Sequence, residues 1–242
     1  MTISSCRRYA GILAIAVALS PALAAAGTDD SESWSVWWGS QLALSFPTGQ
    51  FRPPSSDRGL GFGLCASFVP PHKPVGLRLE FGTVEHRSHL DNIRVDNPNG
   101  LWVDNVSPET GSRLSWGMIG AQWDLRSRDS GIYLYAMGGA ERVSPTEVLG
   151  AGNPVIIADV PGLPGSSSGL AWSAGLGTRL RVPGRRRFAI TGEFDYRRLG
   201  EANYVAAPGV QGDYPNSRYV VTRGPVTTLT ARIGLATQLG SR

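Results

Sequence analysis

The sequence predicts an all-β fold, an eight-stranded antiparallel up-and-down transmembrane β-barrel spanning 34–242. Three observations predict it. Eight segments alternate apolar and polar residues with period two. Their connections run medium, short, long, short, long, short, long, which places the long loops at one end and the tight turns and both termini at the other. Aromatic residues sit at the ends of the apolar faces, where membrane barrels carry interfacial girdles.

Composition is compatible with this. The 31 glycines and 17 prolines punctuate apolar segments without forming low-complexity runs, so disorder is a poor description. No long apolar run follows residue 26, which excludes a bundle of membrane helices but not a barrel, since half of a barrel's strand residues are polar.

Residues 1–26 read as a cleaved secretory signal peptide: Arg7 and Arg8 form a basic start, Ile12 to Leu19 an apolar centre, and Ala22 to Ala26 a run of mostly small residues. Residues 27–33 then form a polar periplasmic linker. Cleavage would leave Cys65 as the sole cysteine, so no internal disulfide is expected. Loss of Arg7 and Arg8 lowers the formal charge from +4 to +2, and nucleic acid is not an expected partner.

The segments follow in order. Trp34–Phe46 places Trp34, Val36, Trp38, Leu42, Leu44 and Phe46 on one face, and Pro47-Thr48-Gly49 breaks it. Leu60–Phe68 sets Leu60, Phe62, Leu64 and Phe68 against Gly61, Gly63 and Cys65. Gly76 to about His86 sets Leu77, Leu79 and Phe81 against Arg78 and Glu80. Residues 88–112 contain a hairpin signal, Ile93–Asp96, Asn97-Pro98-Asn99-Gly100 and Leu101–Asp104, expected to prolong the third and fourth strands as a projecting ribbon.

Arg113–Arg126 and Gly131–Val143 are the fourth and fifth strands, joined by a tight turn. Gly169–Val182 and Arg187–Arg198 are the sixth and seventh, joined at Pro183-Gly184. Thr227–Leu239 closes the set, with Leu229, Ala231, Ile233, Leu235 and Leu239 on one face and Thr228, Thr230, Arg232 and Gln238 on the other. About 13 residues at ~3.3 Å each, tilted by roughly 40°, rise ~30 Å, enough to cross an outer membrane.

This topology, with Gly/aromatic strand patterns such as Trp116-Gly117-Met118-Ile119-Gly120-Ala121-Gln122-Trp123, resembles the small outer-membrane barrels that include the OmpA transmembrane domain, OmpX and opacity-like proteins. The resemblance covers nearly all of the chain after the leader. It implies an outer-membrane location in a Gram-negative envelope, with outer-membrane lipid, lipopolysaccharide and the barrel-assembly machinery as partners. The chain departs from the pattern at its end, where Leu239 and Gly-Ser-Arg replace the usual terminal aromatic.

Strand parity sends Arg78, Arg179, Arg181, Arg197 and Arg232 into the lumen together with Glu80, Asp124, Glu141, Glu193 and Asp195. A barrel of eight strands is just wide enough to be filled by side chains. Unpaired buried charge costs several kcal/mol, so an ion-paired core is expected. Trp37, Trp116, Tyr133, Tyr135 and Met137 add bulk.

Candidate chemistry is sparse. Glu85-His86-Arg87-Ser88-His89 with Asp91 resembles the Ser/His arrangement of lipid A deacylases, but parity turns His86 and Ser88 to the lumen, away from a lipid substrate. No enzymatic activity, metal or cofactor is therefore expected. The loops carry the remaining signal. Val155, Ile156 and Ile157 lie in 144–168. Tyr204, Tyr214, Arg218 and Tyr219 lie in 199–224, and Trp102 on the hairpin, all of types suited to binding an extracellular protein or surface ligand. An envelope-structural or surface-binding role is expected. The alternatives are a lipid-modifying outer-membrane enzyme and a secreted soluble barrel with an apolar ligand inside.

Overall fold

A computed structural model describes residues 34–51, 53, 58–71, 73–87, 93–96, 102–106, 109–125, 131–148, 165–211 and 218–239. The expected signal peptide and linker lie outside these residues.

The described chain forms ten strands: β1 (Ser35–Thr48), β2 (Gly59–Val69), β3 (Val75–Arg87), β4 (Ile93–Asp96), β5 (Trp102–Val106), β6 (Glu109–Asp124), β7 (Gly131–Val148), β8 (Ser167–Val182), β9 (Arg185–Gln211) and β10 (Arg218–Leu239). Eight of them close a barrel in the order β1-β10-β9-β8-β7-β6-β3-β2, all antiparallel. β1 and β10 close it along a continuous register from Val36↔Leu239 to Thr48↔Thr227. Complete closure leaves no wall strand with an unpaired edge, which any structure spanning lipid requires.

Parity is the rule that organises the wall. On each strand one set of side chains is buried in the lumen and the alternate set faces outward. The outward set is neutral over long runs. It covers 36–46 on β1, 60–68 on β2, 75–83 on β3, 115–125 on β6, 132–140 on β7, 170–182 on β8, 188–196 on β9 and 229–239 on β10. Leu42, Phe81, Ile119, Trp172, Leu176, Phe194, Ile233 and Leu235 are among the large apolar side chains exposed there. The tight end of the barrel includes the two-residue Pro183-Gly184 turn, where Gly184 has φ 75° and so occupies a conformation that other residues resist.

Two expectations need correction. The 93–104 hairpin forms, but β4 and β5 make a separate two-stranded sheet and do not prolong β3 and its partner. The 199–224 stretch is not one long loop. β9 and β10 run past the wall as a ribbon, with Val205 opposite Val221 and Gln211 opposite Arg218. Among the described residues β8 follows β9 only to Leu199 and β1 follows β10 only to Thr227, so the outer edges of this ribbon are unpaired.

Candidate functional site

The lumen is filled in three layers. At the waist, strands on opposite sides of the barrel meet through charge. Arg78 on β3 reaches across to Glu193 on β9, with Nη2 2.8 Å from Oε2 and 2.9 Å from Oε1. Arg232 on β10 donates to Glu80 at 2.6 Å and to Asp195, and lies 3.5 Å from Glu193. Arg197 is 3.0 Å from Glu80 and 3.8 Å from Asp195. Three guanidinium groups and three carboxylates are thus interlocked with no net charge.

Neutral groups complete the waist. Trp116 Nε1 donates to Glu80 at 2.8 Å and Tyr133 OH to Glu193 at 2.5 Å. The phenol of Tyr135 and the amide oxygen of Gln41 both accept from Arg232 at 3.3 Å. The Arg197 guanidinium stacks 3.7 Å over Trp116, and that of Arg78 4.4 Å over Tyr135. The room for these large groups comes from lumen-facing glycines: a Cβ at Gly82 would stand 2.3 Å from the Trp116 ring, and one at Gly177 2.4 Å from Tyr133.

Toward the tight end lies a second polar layer. Gln122 joins Arg78 to Asp124 through bonds of 3.2 and 2.8 Å. Arg181 donates to Gln238, which donates on to Ser35. Arg179 stacks 4.4 Å over Trp37 and 5.2 Å from Tyr133. Asp124, Arg179 and Arg181 therefore belong to this layer and not to the waist. Glu141 is also apart: it is buried, and its Oε2 has no hydrogen-bond partner among the described residues.

The third layer, toward the long connections, is apolar. Phe51 folds back from the β1–β2 connection and is wholly buried with Val84, Leu114, Val143, Leu199, Ala202, Tyr204 and Val226. Its ring meets Tyr204 edge-on at 5.0 Å and His86 at 5.7 Å. Tyr204 OH donates to the Gln50 carbonyl at 2.8 Å, which ties the ribbon to the folded-back segment. His86 is buried here, and among the described residues neither ring nitrogen has a hydrogen-bond partner, nor does the hydroxyl of Ser112 directly opposite it on β6. His86 lies beyond the neutral outward run of β3, and burial lowers its pKa to about 4, so the ring is neutral at ordinary pH.

This layer corrects the reading of Tyr204, which is a buried cap residue and not part of an exposed loop surface. The reason is a bulge. Pro225 pairs with Glu201 but Val226 pairs with Leu199, so β9 carries an extra residue at Gly200. One extra residue reverses the parity of all that follows, so Tyr204 turns inward although Arg198 turns outward. Phe51 left no periodic signal, lying in the medium-length β1–β2 connection near prolines. Of the other candidate contact residues, Trp102 falls on β5 and Arg218 and Tyr219 on β10, while Val155, Ile156, Ile157 and Tyr214 lie outside the described residues. So do Ser88, His89 and Asp91; His86 is the only one of the suspected Ser/His pair that is described, and it faces the lumen.

Among the described residues no group of three His, Cys, Asp or Glu side chains is arranged to hold a metal ion, and no helix is long and apolar enough to cross a membrane.

No protein-family model matches the chain, and no curated protein matches it significantly. Solved structures similar to it are small outer-membrane barrels. The attachment invasion locus protein Ail of Yersinia pestis aligns at 12% identity and TM-score 0.42, over 86% of this chain and 100% of Ail. A major outer membrane protein from Thermus thermophilus aligns at 14% identity and TM-score 0.43, over 84% of this chain and 99% of its own. The outer membrane protein AlkL, solved in lipid bilayers, aligns at 11% identity and TM-score 0.37, over 89% of this chain and 93% of AlkL.

Proposed function

We propose that this protein is a non-enzymatic outer-membrane barrel that stiffens the envelope and makes surface contacts through the hairpins at its long-connection end. It would reach that membrane by a cleaved signal peptide and the barrel-assembly machinery. The observation that carries this reading is the neutral outward run on all eight wall strands around a lumen filled with charge. Each run is 9–13 residues, and tilted strands of about that length span an outer membrane. A secreted barrel with an apolar ligand would need the opposite arrangement, charges outside and the apolar face within.

The extracellular contact surface is assigned to the part of the β9–β10 ribbon beyond Val205, which continues past the pairings of β8 and β1. Pro208 and Pro225 and the bulges interrupt its edges, which discourages strand addition and leaves recognition to side chains. A lipid-modifying enzyme is disfavoured because His86 is enclosed beneath the cap.

The test is migration of membrane-fraction protein on a detergent gel before and after boiling, combined with cell fractionation. Faster migration of the unboiled sample from the outer-membrane fraction is expected. Unchanged migration with recovery in a soluble fraction would overturn the reading. Trimming the ribbon between 207 and 217 should preserve folding but lose adhesion to surfaces to which the wild-type cells attach. Removing all of 199–224 would also strip Tyr204 from the cap and cut into the strand that carries Val226, and is the wrong cut.

A further inference from the structure

The cap pocket is filled by a piece of the chain that the wall does not need. Phe51 belongs to no strand, yet its ring is wholly buried at the mouth of the lumen. We propose that Phe51 is a tethered stand-in whose pocket binds, in its place, an uncharged single-ring aromatic compound carrying a hydroxyl group. The site is separate from the surface contacts assigned to the ribbon.

Unsatisfied polar atoms are the first argument. With Phe51 in place, among the described residues neither ring nitrogen of His86 nor the Ser112 hydroxyl has a hydrogen-bond partner, although both side chains are buried. The two residues stand opposite each other on β3 and β6, on the same side of the pocket. Phe51 meets the imidazole at 85°, filling space without supplying a donor or an acceptor. Buried polar groups left in this way are costly and uncommon. A ligand hydroxyl both donates and accepts, which suits a serine hydroxyl and a neutral imidazole with one donor and one acceptor. Gly59 keeps room beside the ring, since a Cβ there would stand 2.7 Å from His86 Nε2.

Shape and charge fix the class of ligand. Val84, Leu114, Val143, Leu199 and Val226 pack in one cluster with Phe51, so its departure vacates space for one six-membered ring in a closely packed apolar surround. The described polar groups at this wall are neutral, because burial holds His86 uncharged and Ser112 is a hydroxyl. An ionised ligand would lose its water there without gaining a counter-charge from either.

The tether is light. Gly49 turns the chain back with φ 65°, a conformation that other residues resist. Beyond β1 the folded-back segment is secured by one described hydrogen bond, from Tyr204 OH to the Gln50 carbonyl. A ligand therefore competes with one ring and one bond, while the pairing of β1 with β10 up to Thr48↔Thr227 stays intact. Covalent attachment gives Phe51 an effective concentration of about millimolar. Removing its ring should accordingly raise ligand affinity.

The experiment uses the chain folded into phosphatidylcholine nanodiscs and titrated with p-cresol, with toluene and 4-hydroxybenzoate as comparisons. Binding is read by NMR from the His86 ring nitrogens and the methyl groups of Val84 and Leu114; Ile233 and Leu235 on the outward face report ligand dissolved in the lipid. In the wild type p-cresol should shift the pocket signals saturably and bind roughly tenfold better than either comparison. Phe51→Ala should saturate at roughly tenfold lower p-cresol, and Phe51→Leu, which keeps most of the apolar filling, should show a smaller gain. Adding His86→Leu to either Phe51 variant should abolish the preference for p-cresol over toluene. Heat-dependent gel migration establishes that each variant is folded before it is scored, and Phe51→Leu serves where Phe51→Ala does not fold. Shifts confined to Ile233 and Leu235, no gain in the folded Phe51 variants, or equal binding of toluene would each overturn the pocket. A preference that survives His86→Leu would overturn the role of the imidazole, and equal binding of 4-hydroxybenzoate the restriction to uncharged ligands.

Discussion

The waist and the cap fill the same lumen a few residues apart, yet they are held by opposite means. At the waist Glu80 is gripped at once by Arg78, Arg197, Arg232 and the Trp116 indole. In the cap Phe51 packs among apolar and aromatic neighbours, and the one described hydrogen bond securing its segment runs from Tyr204 to a backbone carbonyl. The waist joins β3 to β9 and β10 across the barrel, so losing it weakens the whole wall. The cap joins a connection to the rim, so losing it opens one end. Charge specifies which strands face each other, and apolar packing closes the mouth.

The largest effect should follow from unbalancing the waist. Glu80→Gln keeps the shape but leaves three guanidinium groups with one carboxylate fewer in a fully buried site, and breaking a buried pair in this way costs roughly 3–5 kcal/mol. Urea unfolding of the barrel in lipid vesicles should show that loss across the entire transition. A loss below about 1 kcal/mol would mean that the network is not cooperative across the lumen.

Phe51→Ala should cost about 3–5 kcal/mol, the transfer of a fully buried phenyl ring plus the cavity it leaves, but should be felt locally. Amide exchange should accelerate at Val84, Leu114 and Tyr204 while the waist strands β3 and β10 near Glu80 and Arg232 stay protected. Equal acceleration at both sites would erase the distinction between waist and cap.

Acid sharpens the same comparison. His86 is held neutral by burial, with a folded pKa of about 4 against an ordinary value of 6.5. Between those values the unfolded or opened state binds more protons than the closed one, so the stability of the cap is full above about 6.5 and declines as the pH falls toward 4. Among the described residues no carboxylate around the ring offsets this: Phe51 packs on it, Ser112 faces it from β6 and Gly59 from β2, while Glu85 points to the other face of β3. Quenching of a probe placed at position 51 should therefore rise over that interval, and His86→Leu should remove the pH dependence. A flat profile in the wild type would show that the cap does not open at His86.

How much of this was legible in the sequence follows from the same contrast. Parity alone located the wall strands and put Arg78, Glu80, Glu193, Asp195, Arg197 and Arg232 inside. It could not say that Glu80 rather than Glu141 would be shared by three arginines, because that depends on the register across the barrel, which brings β3 opposite β9. The cap was illegible for two separate reasons. Phe51 belongs to no periodic segment, and the extra residue at Gly200 reverses the parity that would otherwise have turned Tyr204 outward.

The smallest effect belongs to the ribbon, where the same chemistry as the waist meets water. Arg223 and Glu201 lie 3.0 Å apart, close to the waist distances, but their side chains are 73% and 65% exposed. Two ions already solvated gain little by meeting, and holding them together costs side-chain entropy. Glu201→Gln should therefore change stability by only about 0–1 kcal/mol, with the remainder screened by salt. Set beside Glu80→Gln under the same urea titration, it contrasts a buried carboxylate shared by three arginines with an exposed one that meets a single arginine at similar distance. If the two losses were equal, the strength of the waist would owe nothing to its exclusion of water, and the lumen network would be a string of ordinary surface pairs that happens to face inward.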